Sequence, residues 1–104
     1  MLCELHADMC KIFSHPVRLR ILGALRDGEE CVKEIARKLG VGFGTVSPHL
    51  LMMKRRGVLL SRKDANRIYY RLAAPRMLEA FDLIRDILSE RIRKQAQIVG
   101  GTRS

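Results

Sequence analysis

Between Arg37 and Arg71 the sequence places nine basic residues (37, 38, 54, 55, 56, 62, 63, 67 and 71) against one acid, Asp64. Nine less one is +8, against a formal +9 for all 104 residues. Ammonium and guanidinium groups gathered this way bind phosphate oxygens and release counterions as they do so. A surface that is basic only for solubility would spread its charge, so concentration in the middle third points to a polyanionic partner. A second chemistry is available at three thiols, Cys3, Cys10 and Cys31. Thiolates are soft ligands that select thiophilic ions over magnesium or calcium. Their odd number argues against a purely structural disulfide framework and for a reducing compartment, the cytoplasm. Cys3 and Cys10, seven residues apart, fall on one helix face about 10 Å apart, too far for both to hold one ion on an intact helix.

The basic stretch is positioned by residues Val32 to Arg56. Val32, Ile35, Ala36 and Leu39 form an apolar stripe at helical spacing, and Gly40 is a natural stop. Val41-Gly42-Phe43-Gly44 turns the chain, and Val46, Leu50 and Met53 mark one face of a second helix. Pro48 is costly inside a helix but tolerated in the first turn. With Thr45 as N-cap it falls at the third position, so the second helix is expected to start at Thr45 and to end at Arg56, before Gly57. Helix, glycine turn, helix is the pattern whose second helix enters the major groove of DNA.

The remaining elements flank this pair. Leu2 to Phe13 reads as a first helix with a broad apolar band: Leu2, Leu5, Met9 and Ile12 beside Cys3, His6, Cys10 and Phe13. Pro16 starts a helix that runs to about Arg26, with Val17, Ile21, Leu22 and Leu25 inward and Arg18, Arg20 and Arg26 outward. Glu29 and Glu30 suit the positive end of the next helix. Val58 to Lys63 and Arg67 to Leu72 read as two strands, joined at a tip of Asp64-Ala65-Asn66. Arg62, Lys63 and Arg67 make that tip a basic wing. A last helix is expected from Pro75 to Val99, with Met77, Phe81, Ile84, Leu88 and Ile92 on one ridge, followed by a frayed tail, 100–104. It is too long for so small a domain to cover, so it is expected to pair with its symmetry mate and with the first helix.

The expected fold class is therefore mainly α with a small β-hairpin. It is a winged helix-turn-helix of five helices, with two strands between the fourth and fifth, forming a homodimer through the first and last helices. The chain reads as one domain, 1–104: N-terminal dimerisation helix 1–13, helix-turn-helix 31–56, wing 58–72 and C-terminal dimerisation helix 75–99. With 47% apolar residues it is folded rather than disordered. The N-terminus has no long apolar run, so no signal peptide or membrane span is expected. There is no nucleophile elbow, phosphate-binding glycine loop or metal-hydrolase motif, which argues against an enzyme.

With these elements in place, the chain closely resembles the ArsR/SmtB family of winged-helix transcriptional repressors. The resemblance is carried by residues 15–22 (HPVRLRIL), Glu34-Ile35-Ala36, Leu39-Gly40-Val41, Thr45-Val46-Ser47, His49-Leu50, Gly57-Val58-Leu59 and Tyr69-Tyr70-Arg71-Leu72, in that order. It implies a homodimer that binds a palindromic operator in double-stranded DNA and is released by an inducer, with no obligatory cofactor. Thr45, Ser47 and His49 correspond to positions that face the groove, where hydroxyls and an imidazole can bond bases or phosphates. Lys54, Arg62, Lys63 and Arg67 are the candidate phosphate and minor-groove contacts. The sequence departs from the family's polar pattern at Gly42, Gly44 and Pro48, which shifts weight from base reading to phosphate contact.

The family's inducers include metal and metalloid ions. Cys31 matches the first cysteine of its Cys-x-Cys pair, but Lys33 replaces the second. Cys3 and Cys10 of the other subunit, with His6 between them, could complete a site with Cys31 for arsenite, antimonite, cadmium, lead or mercury, either both with the first turn unwound or only one of them. The family's other site, on the last helix, lacks histidine here. A redox or reactive-sulfur response is the alternative. It requires Cys10 and Cys31 with Cα atoms within about 7 Å, since no cysteine follows Cys31. A winged helix used only for protein contact is the remaining reading, and the basic middle third argues against it.

Overall fold

The computed structural model describes residues 1–103, with side chains described to residue 97. Helices are α1 (Leu2–Ile12), α2 (Pro16–Ala24), α3 (Val32–Leu39), α4 (Phe43–Arg55) and α5 (Met77–Arg103). The strands are β1 (Glu30–Cys31), β2 (Leu59–Asp64) and β3 (Arg67–Leu72). The chain divides into two compact units, Met1–Ala74 and the stretch from Pro75 onward, which is α5 with its lead-in turn.

In the first unit, α2, α3 and α4 pack on one another and α4 also meets β2. Ile21, Leu22, Leu25, Ile35, Leu39, Val46, Leu50 and Met53 are buried there, as the helical spacing requires. Val17 is only half-buried. His15 caps α2, its Nδ1 accepting from the Val17 N–H at 3.2 Å, and Pro16 takes the first turn, where its missing N–H costs nothing. Gly40 and Gly57 adopt left-handed φ values of +68° and +81°. Each is followed by an N–H that reaches back five residues, Val41 to Ala36 and Val58 to Met53, so α3 and α4 end in Schellman-type closures.

Several boundaries differ from those expected: α1 and α4 end one residue early, at Ile12 and Arg55, and β2 runs Leu59–Asp64 rather than Val58 to Lys63. α2 ends at Ala24, two residues early. α4 begins at Phe43, with Gly42 as its N-cap, because the Gly42 carbonyl already accepts from Thr45 and Val46. Thr45 is therefore the third helical residue rather than the cap, and Pro48 lies inside the helix, one turn from its start. There it removes one hydrogen bond of the ladder. α5 starts at Met77, after a turn in which Leu78 and Glu79 donate to Pro75 and Arg76. It runs through the stretch expected to fray, to Arg103; Ser104 lies outside the described residues.

The sheet has a third strand that the alternation did not reveal. β1 pairs antiparallel with β3 (Glu30 with Tyr70, Cys31 with Tyr69), and β2 pairs with the other edge of β3, giving the order β1-β3-β2. Glu30 therefore belongs to a strand rather than to the approach to α3, and its carboxylate meets Lys38 at 2.9 Å. Tyr70 and Leu72 are buried on the inner face of β3, whereas Ile68, nearer the tip, is 44% exposed.

Asp64 pairs with Arg67, so Ala65-Asn66 is a two-residue hairpin turn. Ala65 takes φ +55°, where an L-residue with a Cβ is strained and glycine is not. Ala65→Gly is expected to stabilise the fold by about 0.5–1 kcal/mol after the added chain entropy of glycine is deducted. Thermal unfolding would show a Tm higher by a few degrees; an unchanged or lower Tm would contradict the assignment of strain to this residue.

α1 exposes Leu2, Leu5 and Met9 and buries Ile12. Asp8 on the same helix meets Arg56, just beyond α4, at 3.0 Å. In the second unit, α5 exposes Leu83, Ile84, Ile87, Leu88 and Ile92.

Candidate nucleic-acid interface

α4 turns Val46, Leu50 and Met53 into the core, which leaves Phe43, Gly44, Thr45, Pro48 and Leu51 on its open face, with Ser47 half-buried. Thr45 therefore stands free at the exposed N-terminal end of the helix. His49 does not. It is half-buried; its Nδ1 accepts from Arg18 Nε at 3.3 Å, and its ring lies 4.5 Å from that of His15. Arg18, expected outside, is itself half-buried and also donates to the Lys11 carbonyl. His49 thus ties α4 to the start of α2 through a charged cluster that the sequence reading did not find.

Burial first, then the electrostatic influence of His15 and Arg18, holds the His49 imidazole below its ordinary value of 6.5. A histidine whose folded pKa is depressed resists protonation in the native state. Stability is then complete above about pH 6.5 and falls as the pH drops through that value toward the folded pKa. Protonated Nδ1 also cannot accept from Arg18. Tm measured between pH 7.5 and pH 5.5, in roughly one-unit steps, is expected to fall. That fall should be reduced in His49→Gln, which keeps an acceptor without titrating; an identical profile in the variant would assign the loss to other groups.

The wing carries Arg62, Lys63 and Arg67, but not equivalently. Arg62 Nε lies 2.9 and 3.1 Å from the two carboxylate oxygens of Glu29, and its terminal nitrogen also donates to that carboxylate. Its guanidinium sits 4.6 Å from the centroid of the Tyr69 ring, with Asp64 at 3.6 Å. The hydrogen bond from Arg62 pulls the Glu29 carboxyl below its ordinary range and raises Arg62 in turn. Glu29 therefore serves the wing, not the end of α3 as expected. Among the described residues Lys54, Lys63 and Arg67 have no ion-pair partner, and all three are exposed.

Folding thus redistributes the charge counted along the sequence. Arg37 meets Glu34, Lys38 meets Glu30, Arg56 meets Asp8 and Arg62 meets Glu29. All four acids lie outside the basic stretch in sequence. Of its nine cations, five are without such a bridge among the described residues: Lys54, Arg55, Lys63, Arg67 and Arg71.

The thiols are dispersed. Cys3 and Cys10 are exposed on α1; Cys31 is buried at the junction of β1 and α3. All three are free, and among the described residues no group of three His, Cys, Asp or Glu side chains could hold a metal ion. Within one chain the three are not brought together. Cys31 lies instead on the floor of a cleft shared with Lys33, Phe43 and the wing tip. Among the described residues no helix is long and apolar enough to cross a membrane.

Comparison with known proteins bears on this arrangement directly. Residues 15–60 match the family model described as bacterial regulatory protein, arsR family. The chain is 36% identical over 66 residues to the biofilm growth-associated repressor of Xylella fastidiosa, covering 64% of this chain and 58% of that protein's length. Among solved structures it is similar to the homodimeric winged helix-turn-helix DNA-binding domain Mb0332 of Mycobacterium bovis (30% identity, TM-score 0.79, 89% of this chain and 86% of that one). It is also similar to the antimony-specific transcriptional repressor AntR (29% identity, TM-score 0.75, 88% and 83%). The exposed end of α4, the basic hairpin beside it and these matches have one explanation: the chain belongs to the arsR family of bacterial regulatory proteins and has the winged helix-turn-helix fold.

Proposed function

We propose that this regulator is a homodimeric repressor that grips operator DNA with α4 and the wing of each subunit and lets go when a thiophilic metal or metalloid binds at its cysteines. The observation that carries the DNA reading is the set of cations left unpaired by folding, Lys54, Lys63 and Arg67, beside the open face of α4 that presents Thr45 and Ser47. His49, held by Arg18 through Nδ1, keeps only Nε2 for a DNA contact. Arg62 reaches phosphate only by exchanging Glu29 for it. Two such interfaces related by a twofold axis call for a palindromic operator. Pairing through α1 and α5 is supported by the apolar side chains each exposes, which a second subunit would cover. An electrophoretic shift on random duplex at increasing salt tests DNA binding itself, because phosphate contact must weaken linearly in log salt.

For the inducer, the donor chemistry fits a soft ion: three thiols and no cluster of hard carboxylate ligands among the described residues. The geometry of a single chain does not complete a site. Cys31 must therefore find its further ligand in Cys3 or Cys10 of the second subunit, and being buried it must be uncovered to do so. The antimony specificity of AntR is in keeping with such chemistry. Coupling of this kind is typically about 1–3 kcal/mol and reciprocal, so the operator should weaken ion binding as much as the ion weakens operator binding. Cys31→Ser is expected to bind operator normally and to lose release by antimonite, arsenite or cadmium, a change of about 5- to 150-fold in the ion's effect on DNA affinity. Retention of full release in that variant would remove Cys31 from the mechanism.

A further inference from the structure

We propose that the cleft between the start of α3, the start of α4 and the wing tip is a binding site for a small amphipathic anion, an aryl or short-chain alkyl carboxylate. The cleft has a volume of about 250 Å³, below the usual range of about 300–1,000 Å³ for drug-sized ligands, so it suits one ring or a short chain.

Its lining combines two kinds of group. Phe43 and Ile68 are 63% and 44% exposed, and both line this space together with the buried Val32. Single exposed apolar side chains are ordinary on a protein surface. Two from separate elements lining one concave space make a seat from which an apolar ligand displaces water. Among the described residues Lys33 and Arg67 are the only charged members of the lining, both are cationic, neither has an ion-pair partner, and no acid lines the cleft. A hard metal cation finds no carboxylate ligand in the described lining, whose one soft donor is the buried Cys31 thiol, and a neutral molecule leaves the cations unused. Inorganic phosphate leaves Phe43 and Ile68 unused. A carboxylate on an apolar body matches both halves of the lining.

The site is independent of the reading that the protein binds DNA. Its regulatory consequence does rest on that reading: Arg67 is one of the cations assigned to the duplex, so an occupant that engages it competes with phosphate there.

The test is an amide-resolved NMR titration of the full chain with 3-phenylpropionate, alongside 3-phenylpropanamide and inorganic phosphate. Expected are saturable shifts at Lys33, Phe43 and Ile68, with a dissociation constant below about 1 mM for so small a ligand. Binding should be at least about tenfold weaker for the amide, and for the acid in Lys33→Gln and in Phe43→Ser. Both positions are exposed, and the same spectra report whether each variant keeps its fold. Absence of saturation, equal affinity for the amide, or equal displacement by phosphate would each overturn the proposal; the last would make the cleft a plain phosphate seat. A parallel duplex titration separates the two readings. Ligand binding that leaves DNA affinity unchanged supports the site and counts against a DNA role for Arg67.

Discussion

Replacing Lys54, Lys63 and Arg67 together by glutamine is expected to lower affinity for double-stranded DNA about a hundredfold near 0.15 M salt. The same change should flatten the slope of log affinity against log salt by about 2.7, roughly 0.9 for each phosphate contact removed. These three are chosen because folding leaves them exposed and unpaired. Arg62, equally prominent in the sequence, is held by Glu29 and stacked on Tyr69. Its substitution alone should change the salt slope less than that of Arg67, since a phosphate must first displace a carboxylate from it. Fluorescence anisotropy with a labelled duplex at four or five salt concentrations, a design of roughly one decade, gives both quantities. A triple variant with wild-type affinity and slope would place the grip elsewhere or show that there is none.

The second large effect is on stability. Leu50 is fully buried on the inner side of α4, the helix that packs on α2, α3 and β2. Leu50→Ala leaves a cavity at that junction and is expected to cost about 2–5 kcal/mol. Small domains have only about 5–15 kcal/mol in all. For a domain of this size the loss corresponds to a Tm drop of roughly 10 °C or more by circular dichroism. Leu51→Ala, one residue along on the open face, is the matched control and should change Tm by little. Comparable losses at both positions would mean that α4 is rotated relative to the burial described above.

Much of this architecture was legible in the residues. Val32, Ile35, Ala36 and Leu39 announce α3 because helical periodicity and core burial are the same fact. Tyr70 and Leu72 announce β3 for the corresponding reason in a strand. What was not legible depends on partners distant in sequence. β1 is two residues long, too short for any alternation, and exists because β3 offers it an edge. Pro48 points to a helix that starts at Thr45, since proline is tolerated in the first turn; the Gly42 carbonyl nucleates α4 earlier, and the fold accepts one missing rung. The charge count along the basic stretch overstated what a phosphate would meet, because Asp8, Glu29, Glu30 and Glu34 arrive from outside it. The His15–Arg18–His49 cluster had no signal beyond the residue types themselves. The exposure of Cys3 and Cys10 on α1 and the burial of Cys31 follow from packing between elements, which the residue types alone do not encode.

The chain contains no tryptophan and two tyrosines, and both tyrosines stand on β3. One lies beneath the guanidinium of Arg62, in register between that residue and Cys31; its neighbour is sealed in the core. Tyrosine emission therefore originates entirely in the central strand of the sheet. Detachment of the arginine from its ring, or a disturbance at the thiol across the ladder, registers in an unlabelled sample as a change in that summed tyrosine signal.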